Sequence, residues 1–459
     1  MEINISERIF TEDDQQSFAA LSGDWNPVHV EEEIARRTIV GSIVIHGIHG
    51  VLWALYSAMS SNHITNTIKS IQVKFHSPIK LNEIVECFFL EDKKNNEYKL
   101  IIRVNKTLKT TIVLSFCDLI LFKDIPNRNH LKSLPKEYFF NKVPIEKHTM
   151  QLYFDKLLYM KMFPSLENKI PDAQIALLLG ISNIIGMECP GNYSLFSNFN
   201  ISWHDSSNDS VDYQISDYNK RFSSIKLSIK SGGATGELQS FIRPASVKQN
   251  LTESTKKYIP KNIFSKWRVL VIGGSRGLGE ASTKILTHGG AKSCITYYKG
   301  LNDAKKIAKE TSSEILYLDI LSDFKIDLEW SPTHLFYFPT PNILSEDTSF
   351  DSESLLELYN NYFIKGFEKI IKNIYSGHQL KVFYPSTYYI DHDNEKYKKY
   401  SEIKMQGEEL CKSMNKLYPK IDIFFPRLPC LKTDLTASLT ESNSIDPIPY
   451  LSNLYKNWK

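Results

Sequence analysis

Several common signatures are missing from this chain of 459 residues. The six cysteines are scattered, with no C-x-x-C pair and no histidine at metal-ligand spacing, so we expect free thiols in a reducing compartment and no metal. The formal net charge is only +3, which gives no reason to expect nucleic acid as a partner. The first residues contain no basic segment followed by an apolar run. No signal peptide is therefore predicted, and a cytoplasmic location is expected.

One mostly apolar stretch, residues 38–59, imitates a membrane span. It contains His46, His49 and three glycines, which a helix facing lipid tolerates poorly. We therefore predict a buried helix in a soluble domain and no membrane span.

The length of the chain is too great for one core, so several domains are expected. Residues 1–128 and 129–247 each contain an apolar helix followed by segments of period-two alternation. This alternation indicates strands with one buried face, and its recurrence suggests two similar modules packed together. Residues 248–262 are polar, charged and contain a proline, which is typical of a linker. Residues 263–459 then form a last domain.

In this last domain, short apolar strands alternate with helices, and the pattern favours a doubly wound parallel sheet. The predicted strands are 268–272, 293–297, 314–318, 335–338, 381–384 and 421–425. The predicted helices are 277–287, 302–310, 352–375 and 396–417.

A glycine-rich turn follows the first of these strands and precedes a helix: Gly273-Gly274-Ser275-Arg276-Gly277-Leu278-Gly279. Glycines let the backbone turn sharply and approach a pyrophosphate at the helix N-terminus. The second strand ends in Tyr-Tyr-Lys299, with no carboxylate for a ribose diol. Arg276 and Lys299 offer positive charge where a 2′-phosphate would lie, so NADPH is favoured over NADH. Asp319, at the end of the third strand, suits either an adenine contact or a turn cap.

Tyr400 and Lys404 are four residues apart on a predicted helix, and Ser386 lies at the end of a strand. A nearby lysine charge lowers the pKa of a phenol, ordinarily about 10, so that the phenol can donate a proton to a carbonyl. By itself, such a pair more often marks a solvated helix face. Its place after the glycine-rich turn favours a hydride-transfer enzyme.

These residues resemble the short-chain dehydrogenase/reductase family over about residues 264–440. The resemblance implies an α/β Rossmann domain in which Ser386, Tyr400 and Lys404 are catalytic, and Tyr400 and Lys404 also contact the cofactor. It implies that Thr433 lies in the segment that binds the cofactor carboxamide. The chain departs from the family at Phe338-Pro-Thr-Pro341, where Asn-Ala-Gly is usual. This departure weakens the expected support for the sheet and the cofactor.

A second constellation, Asp24 and His29, lies in a loop bent by glycine and proline near the N-terminus. A carboxylate and an imidazole at this spacing can hold one water and activate it for addition to a polarised double bond. His46-Gly47 opens the apolar helix, whose free N–H groups can bind a thioester carbonyl as it gains negative charge. The alternative is that Asp24 caps a turn and His29 fills a core.

Three strings carry a second resemblance: Phe10-Thr-Glu-Asp-Asp, Ser22-Gly-Asp-Trp-Asn-Pro-Val-His29 and Ile45-His-Gly47. They resemble MaoC-like hot-dog hydratases, the (R)-specific enoyl-thioester hydratases, over about residues 6–120. The resemblance implies Asp24 and His29 as the catalytic pair and Asn26, His46 and Gly47 as substrate-binding or supporting residues. The second module looks like a further hot-dog unit, but it lacks an Asp-x₄-His pair. It would be a non-catalytic partner.

Together the two resemblances predict an α+β double hot-dog region followed by an α/β Rossmann domain. They share one chemical species, the 3-hydroxyacyl thioester, so we expect a bifunctional enzyme acting on acyl-CoA or acyl carrier protein thioesters. A homodimer is also expected. Two alternatives stay open. One is a reductase of another carbonyl, a polyketide or sugar intermediate, with a hot-dog region that only binds. The other is a non-enzymatic acyl-binding scaffold.

Overall fold

The computed structural model describes residues 2–61, 67–92, 97–117, 125–138, 146–164, 170–204, 208–341, 343, 352–392, 395–439 and 443–458. The chain separates into two compact units. The first comprises Met1–Ala245 with Ser438–Thr440, and the second comprises Ser246–Ala437 with Glu441–Lys459.

The first half of the first unit, called module A here, opens with one strand and four helices: β1 (Ile3–Ile9), α1 (Glu12–Ser22), α2 (Pro27–Val30), α3 (Glu32–Ala35) and α4 (Gly47–Ser60). Four strands follow: β2 (Thr67–Phe75), β3 (Ile84–Asp92), β4 (Glu97–Val104) and β5 (Thr107–Cys117). The apolar stretch predicted as a helix becomes helical only from Gly47, and His46 is its N-cap residue. A capping box between Thr11 and Asp14 fixes the start of α1.

The second half, called module B, contains the strand β6 (His148–Gln151) and the helices α5 (Lys156–Met162) and α6 (Asp172–Asn183). A π-helical turn, Ile184–Glu188, extends α6. Four strands complete the module: β7 (Ser194–Trp203), β8 (Ser210–Asn219), β9 (Ser224–Ser231) and β10 (Ala234–Ile242).

The two modules have the same strand order, β1-β3-β4-β5-β2 in module A and β6-β8-β9-β10-β7 in module B. In each, a buried helix, α4 or α6, lies between the first and second strands of the chain. The strands β2 and β7 pair antiparallel, so that the modules form one ten-stranded antiparallel sheet. Side chains of α4, α6 and both sets of strands share one apolar core. The predicted pairing of two similar modules therefore has a physical basis, since each buries its helix against the common sheet.

The second unit has a short helix, α7 (Glu253–Lys256), and then alternates strands with helices. Its first part contains β11 (Arg268–Ile272), α8 (Gly277–His288), β12 (Lys292–Tyr297), α9 (Leu301–Thr311), β13 (Glu314–Tyr317) and β14 (His334–Tyr337). Its second part contains α10 (Ser352–Asn360), α11 (Gly366–Ile374), β15 (Leu380–Phe383), β16 (Ser386–Thr387), α12 (Lys398–Leu417), β17 (Ile421–Phe424), β18 (Arg427–Leu428) and α13 (Pro447–Asn457).

Six of these strands form a parallel sheet in the order β13-β12-β11-β14-β15-β17. Counted within the unit this is the order 3-2-1-4-5-6, which is found in dinucleotide-binding sheets. Alternate residues of β11 enter opposite cores: Val269 packs with α8 and α9, and Leu270 packs with α11 and α12. Helices therefore cover both faces, as the alternation of strands and helices predicts.

One feature of the second unit differs from the sequence-based expectation. The helix predicted at 352–375 is interrupted by a π-helical turn, Asn361–Lys365, between α10 and α11. The segment predicted as a linker packs onto the second unit. Gln249 donates its side-chain amide to the Lys432 carbonyl at 3.0 Å, and Ile259 is buried in the core beside α8.

Among the residues with described structure, no helix has both the length and the apolar character needed to cross a bilayer.

Candidate functional sites

Three side chains of module A converge: Asp24 after α1, His29 in α2, and His46 at the start of α4. A carboxylate oxygen of Asp24 and one ring nitrogen from each histidine all lie within 4.8 Å of one another. The two imidazole rings stack with their centroids 4.0 Å apart. The local turns between α1, α2 and α4 therefore bring together the aspartate and histidines that the sequence pattern singles out.

The hydrogen bonds of the two histidines differ. His29 Nδ1 lies 2.8 Å from the carbonyl oxygen of Val44, which can only accept, so Nδ1 carries the proton and Nε2 carries a lone pair. The His46 ring is held from both sides, because its nitrogens lie 2.9 Å from Gln15 Oε1 and 2.8 Å from the backbone oxygen of Asp24. His46 is thus part of the supporting network, and His29 retains a nitrogen for chemistry.

Burial shifts the pKa values of the pair in opposite directions. Loss of solvent raises the pKa of Asp24 to about 7, against the opposing effect of hydrogen bonds from Ser182 and from the backbone N–H of Asn26. Burial lowers the pKa of His29 to about 4, and the nearby charge of Arg243 lowers it further, whereas the bond to Val44 raises it. Near neutral pH, Asp24 exchanges protons readily and His29 is uncharged.

Asn26 links the two modules. Its amide nitrogen lies 2.9 Å from the Gly186 oxygen, 3.0 Å from the Gly191 oxygen and 3.3 Å from Ser194 Oγ. Its side-chain oxygen accepts from the Val28 N–H at 3.2 Å. The side chain is thus fully used by protein groups, which suits the supporting role rather than a direct substrate contact.

Two residues of module B that the sequence reasoning missed contact Asp24. The Ser182 hydroxyl donates to Asp24 Oδ2 at 2.8 Å. A Cβ atom added to Gly186 would lie 2.0 Å from Asp24 Oδ1, so the carboxylate packs directly on the π-helical backbone. These residues are about 160 positions away in the sequence, and no local pattern signals them.

In the second unit, the glycine-rich turn connects β11 to α8. Gly273 has a φ of +76°, a conformation that favours glycine. A Cβ atom on Gly279 would come within 2.1 Å of the Gly273 carbonyl oxygen. The N–H groups of Gly273 and Gly274 donate to the side chain and the backbone oxygen of Thr296, both at 2.9 Å. The turn is therefore a compact backbone cradle at the N-terminus of a helix.

Three other predicted cofactor residues lie as follows. Thr433 comes within 3.8 Å of a Cβ placed on Gly277, so it borders the cradle despite its distance in sequence. Lys299 is exposed just beyond β12. Asp319 accepts from the Leu321 N–H at 2.9 Å and thus caps a turn, one of the two roles expected of it. The adenine contact of Asp319 stays a prediction.

The departing segment Phe338-Pro-Thr-Pro341 lies against the cradle. The nitrogen of Pro339 is 3.2 Å from a Cβ placed on Gly273. Proline has no N–H to donate, so this segment supports the turn by contact.

Tyr400 stands in the first turn of α12, with its ring against Tyr359 and Phe363 at centroid distances of 6.1 and 5.7 Å. Burial raises the pKa of its phenol, and a hydrogen bond with the Thr387 side chain lowers it. Thr387 was not among the predicted site residues.

Lys404 lies one turn further along α12. Its ammonium sits over the rings of Phe363 and Tyr384, at 4.6 and 4.3 Å from their centroids, and donates to the Pro385 carbonyl. Burial lowers its pKa to about 7, with Cys411 and Glu408 acting in the opposite direction. Because Phe363 touches both Tyr400 and Lys404, these two residues share one face of the helix, as predicted.

The role of Ser386 in assisting Tyr400 stays a prediction, and the structure shows another partner for this serine. Its hydroxyl donates to Glu408 at 2.5 Å. Successive residues of an extended strand point to opposite sides, and in β16 it is Thr387 that faces Tyr400.

Comparison with known proteins adds to this picture. Residues 2–113 match the family model described as "MaoC like domain". The mitochondrial 3-hydroxyacyl-[acyl-carrier-protein] dehydratase of Arabidopsis thaliana is 26% identical over 136 residues, covering 28% of this chain and 79% of that protein. The 3-hydroxybutyryl-CoA dehydratase of Methylorubrum extorquens is 30% identical over 79 residues, covering 16% of this chain and 47% of that protein. Residues 2–113 are therefore similar to MaoC-like domains.

Solved structures of short-chain dehydrogenases are similar to part of the chain. One, from Escherichia coli CFT073 and complexed with NADPH, is 15% identical and covers 43% of this chain and 92% of its own, with a TM-score of 0.36. Another, from Burkholderia cenocepacia J2315 and in complex with NADP, is 14% identical and covers 42% of this chain and 91% of its own, with a TM-score of 0.34.

Proposed function

We propose that this chain is a bifunctional enzyme of acyl-thioester metabolism. One activity is (R)-specific hydration and dehydration between 2-enoyl and 3-hydroxyacyl thioesters. The other is NADPH-dependent reduction of 3-oxoacyl to 3-hydroxyacyl thioesters. The observation that carries the proposal is the convergence of Asp24 with His29, whose Nε2 carries a lone pair, inside the region that matches a MaoC-like domain.

For hydration, a water molecule lies between the Asp24 carboxylate and His29 Nε2, and its oxygen adds to Cβ of the enoyl thioester. Asp24 takes the proton that the water loses, and the same carboxyl returns a proton to Cα. The sum is the addition of one water, and the enzyme is left unchanged. The N–H groups at the start of α4, beside His46 and Gly47, stabilise negative charge on the thioester oxygen. Dehydration follows the same steps in reverse.

For reduction, NADPH fits the second unit because the glycine cradle lies at the N-terminus of α8 and lets a pyrophosphate approach the backbone closely. The residues that would hold it are Gly273, Gly274, Ser275, Arg276, Gly277, Leu278, Gly279, Lys299, Tyr400, Lys404 and Thr433. When bound, NADPH supplies a hydride to the carbonyl carbon. Tyr400 donates its phenolic proton to the carbonyl oxygen, and the ammonium of Lys404 favours the ionised phenol that remains. Thr387 orients the phenol.

We propose a double hot-dog fold for the first unit, with a catalytic unit at 1–128 and a non-catalytic unit at 129–247, joined through 248–262 to a Rossmann domain at 263–459. The shared strand order of modules A and B supports this division. Acyl-CoA and acyl carrier protein thioesters are both proposed as substrates, because the two named relatives act on one carrier each. A cytoplasmic homodimer completes the proposal.

The test is a paired substitution in the purified full-length chain. Asp24→Asn should abolish hydration of a crotonyl thioester and leave NADPH oxidation with an acetoacetyl thioester intact. Tyr400→Phe should do the reverse. Survival of both activities in both variants would overturn the assignment. NADPH binding without turnover on any 3-oxoacyl thioester would instead indicate a second unit that only binds.

A further inference from the structure

We propose that module B completes the hydration site, with Ser182 as a positioning residue that holds Asp24 in its working orientation. This inference rests on the proposed hydration at Asp24 and His29. It changes the expected role of module B, which on the sequence pattern is only a partner without catalytic residues.

The contacts of the Asp24 carboxylate support this role. Oδ2 accepts from the buried Ser182 hydroxyl of α6 at 2.8 Å, whereas Oδ1 accepts from the Asn26 N–H at 3.3 Å. One oxygen is thus anchored by each module. Without Ser182, only the longer of the two bonds would remain to set the carboxylate torsion.

The π-helical turn after α6 packs against the same carboxylate. Gly186 leaves room for Asp24 Oδ1, which a Cβ atom would approach to 2.0 Å. The Gly186 carbonyl accepts from the Asn26 amide at 2.9 Å, so the turn is tied to the loop that carries Asp24. Extra turns of this kind in helices occur frequently at functional sites. The Gly186 backbone and the Ser182 hydroxyl of module B therefore both contact Asp24 of module A.

The Ser182 hydroxyl should affect the ionisation of Asp24. A donor to the carboxylate favours its charged form, against the effect of burial. Among the described residues, the other titratable or charged groups near Asp24 include His29 and His46, with His130 beside Gly23 and Arg243 of module B acting on His29. Removal of the Ser182 hydroxyl leaves all of these in place, so its effect on Asp24 can be read separately.

The experiment compares Ser182→Ala with Ser182→Thr, which keeps a hydroxyl. Ser182→Ala should lower kcat for crotonyl-thioester hydration and move the acid limb of the pH profile upward by roughly one pH unit. Ser182→Thr should restore most of both. Ser57→Ala is a matched control, because Ser57 is a buried helical serine whose hydroxyl donates to the Trp53 carbonyl of its own helix, at 2.9 Å. Coincidence of the Ser182→Ala and wild-type pH profiles would overturn the inference.

A second measurement separates this inference from the proposed function. Carboxyl ¹³C titration, with the Asp24 signal assigned by its loss in Asp24→Asn, should show Asp24 protonated to higher pH in Ser182→Ala than in wild type, whether or not the chain hydrates crotonyl thioesters. Hydration failing in wild type would refute the function alone. Identical titration curves would refute the role of Ser182. Gly186→Ala tests the contact independently and should lower hydration by displacing Asp24, while an unchanged far-UV circular dichroism spectrum reports that the first unit is folded.

Discussion

The hydroxyl of Ser386 donates to the carboxylate of Glu408 at 2.5 Å. Glu408 is itself held by two hydrogen bonds from the Arg427 guanidinium, at 2.8 and 2.7 Å. Ser386 is buried and its hydroxyl is bonded to this carboxylate, so we expect a structural role for it. The next residue, Thr387, is the one that reaches the phenol of Tyr400.

Replacement of Thr387 by valine should therefore lower kcat for 3-oxoacyl-thioester reduction by on the order of 100-fold, because the phenol loses the hydroxyl that orients it. Ser386→Ala should reduce kcat less. Thr387→Ser keeps the hydroxyl and should stay near wild type. The measurement is NADPH oxidation with an acetoacetyl thioester at saturating cofactor. A larger loss of kcat in Ser386→Ala than in Thr387→Val would return the catalytic role to the serine.

The pH dependence of hydration follows from the opposite pKa shifts of Asp24 and His29. Burial raises the pKa of Asp24 to about 7 and lowers that of His29 to about 4. Because the proposed base is the ionised Asp24, kcat/KM for a crotonyl thioester should reach a plateau above about pH 7. It should fall about tenfold for each pH unit below that value, with His29 uncharged throughout. The rate measured from pH 5 to 9 checks this, and a flat profile would contradict it.

The same burial should make folding stability depend on pH. The pKa of Asp24 is about 7 in the folded chain and 3.8 for a carboxyl without this burial, as in the unfolded chain. The unfolded chain therefore loses this proton first as pH rises. The contribution of Asp24 to stability is fully present below pH 3.8 and is lost as pH rises through 7. Asp24→Asn should thus gain stability over wild type between pH 5 and 8, by up to on the order of 4 kcal/mol. Denaturant unfolding of both proteins at pH 5 and at pH 8 measures this. An equal difference in the free energy of unfolding at the two pH values would speak against a buried Asp24 carboxylate.

The glycine cradle should tolerate no side chain at Gly279. Because its Cβ would approach the Gly273 oxygen to 2.1 Å, Gly279→Ala should open the turn and weaken NADPH binding by roughly tenfold or more. Crotonyl-thioester hydration should persist, since Asp24 and His29 lie in the other unit. Gly377→Ala is a control for replacing a glycine of the same unit outside the cradle: Gly377 has a φ of +85°, unlike Gly279, and a Cβ there meets nothing within 4 Å. Fluorescence titration of NADPH compares the variants, and equal affinities would remove the cradle from the cofactor site.

Local patterns of the sequence predicted much of this fold. The alternation of strands and helices after residue 263 predicts the parallel sheet, because each strand must be covered on both faces. The position of His46-Gly47 predicts the start of α4, and the four-residue spacing predicts that Tyr400 and Lys404 share a helix face. These features depend on neighbours in the chain, which a linear pattern records.

The structure differs from the sequence-based expectations where a single residue position or a contact distant in sequence determines the local geometry. Ser386 and Thr387 are adjacent polar residues in β16, and only the packing of α12 selects which of them faces Tyr400. The π-helical turn that interrupts the helix predicted at 352–375 carries Phe363 to both Tyr400 and Lys404. Helical periodicity alone does not predict such an insertion.

By itself, the sequence determined which residues are predicted to carry chemistry: Asp24 and His29 in one region, Tyr400 and Lys404 in another, each in a local motif. Only the tertiary structure decided what surrounds them. Ser182 and Gly186 reach Asp24 because β2 pairs with β7 and packs the two modules on one sheet. The pKa values of Asp24 and His29 follow from burial among residues remote in the chain, since desolvation depends on every atom nearby and not on sequence neighbours.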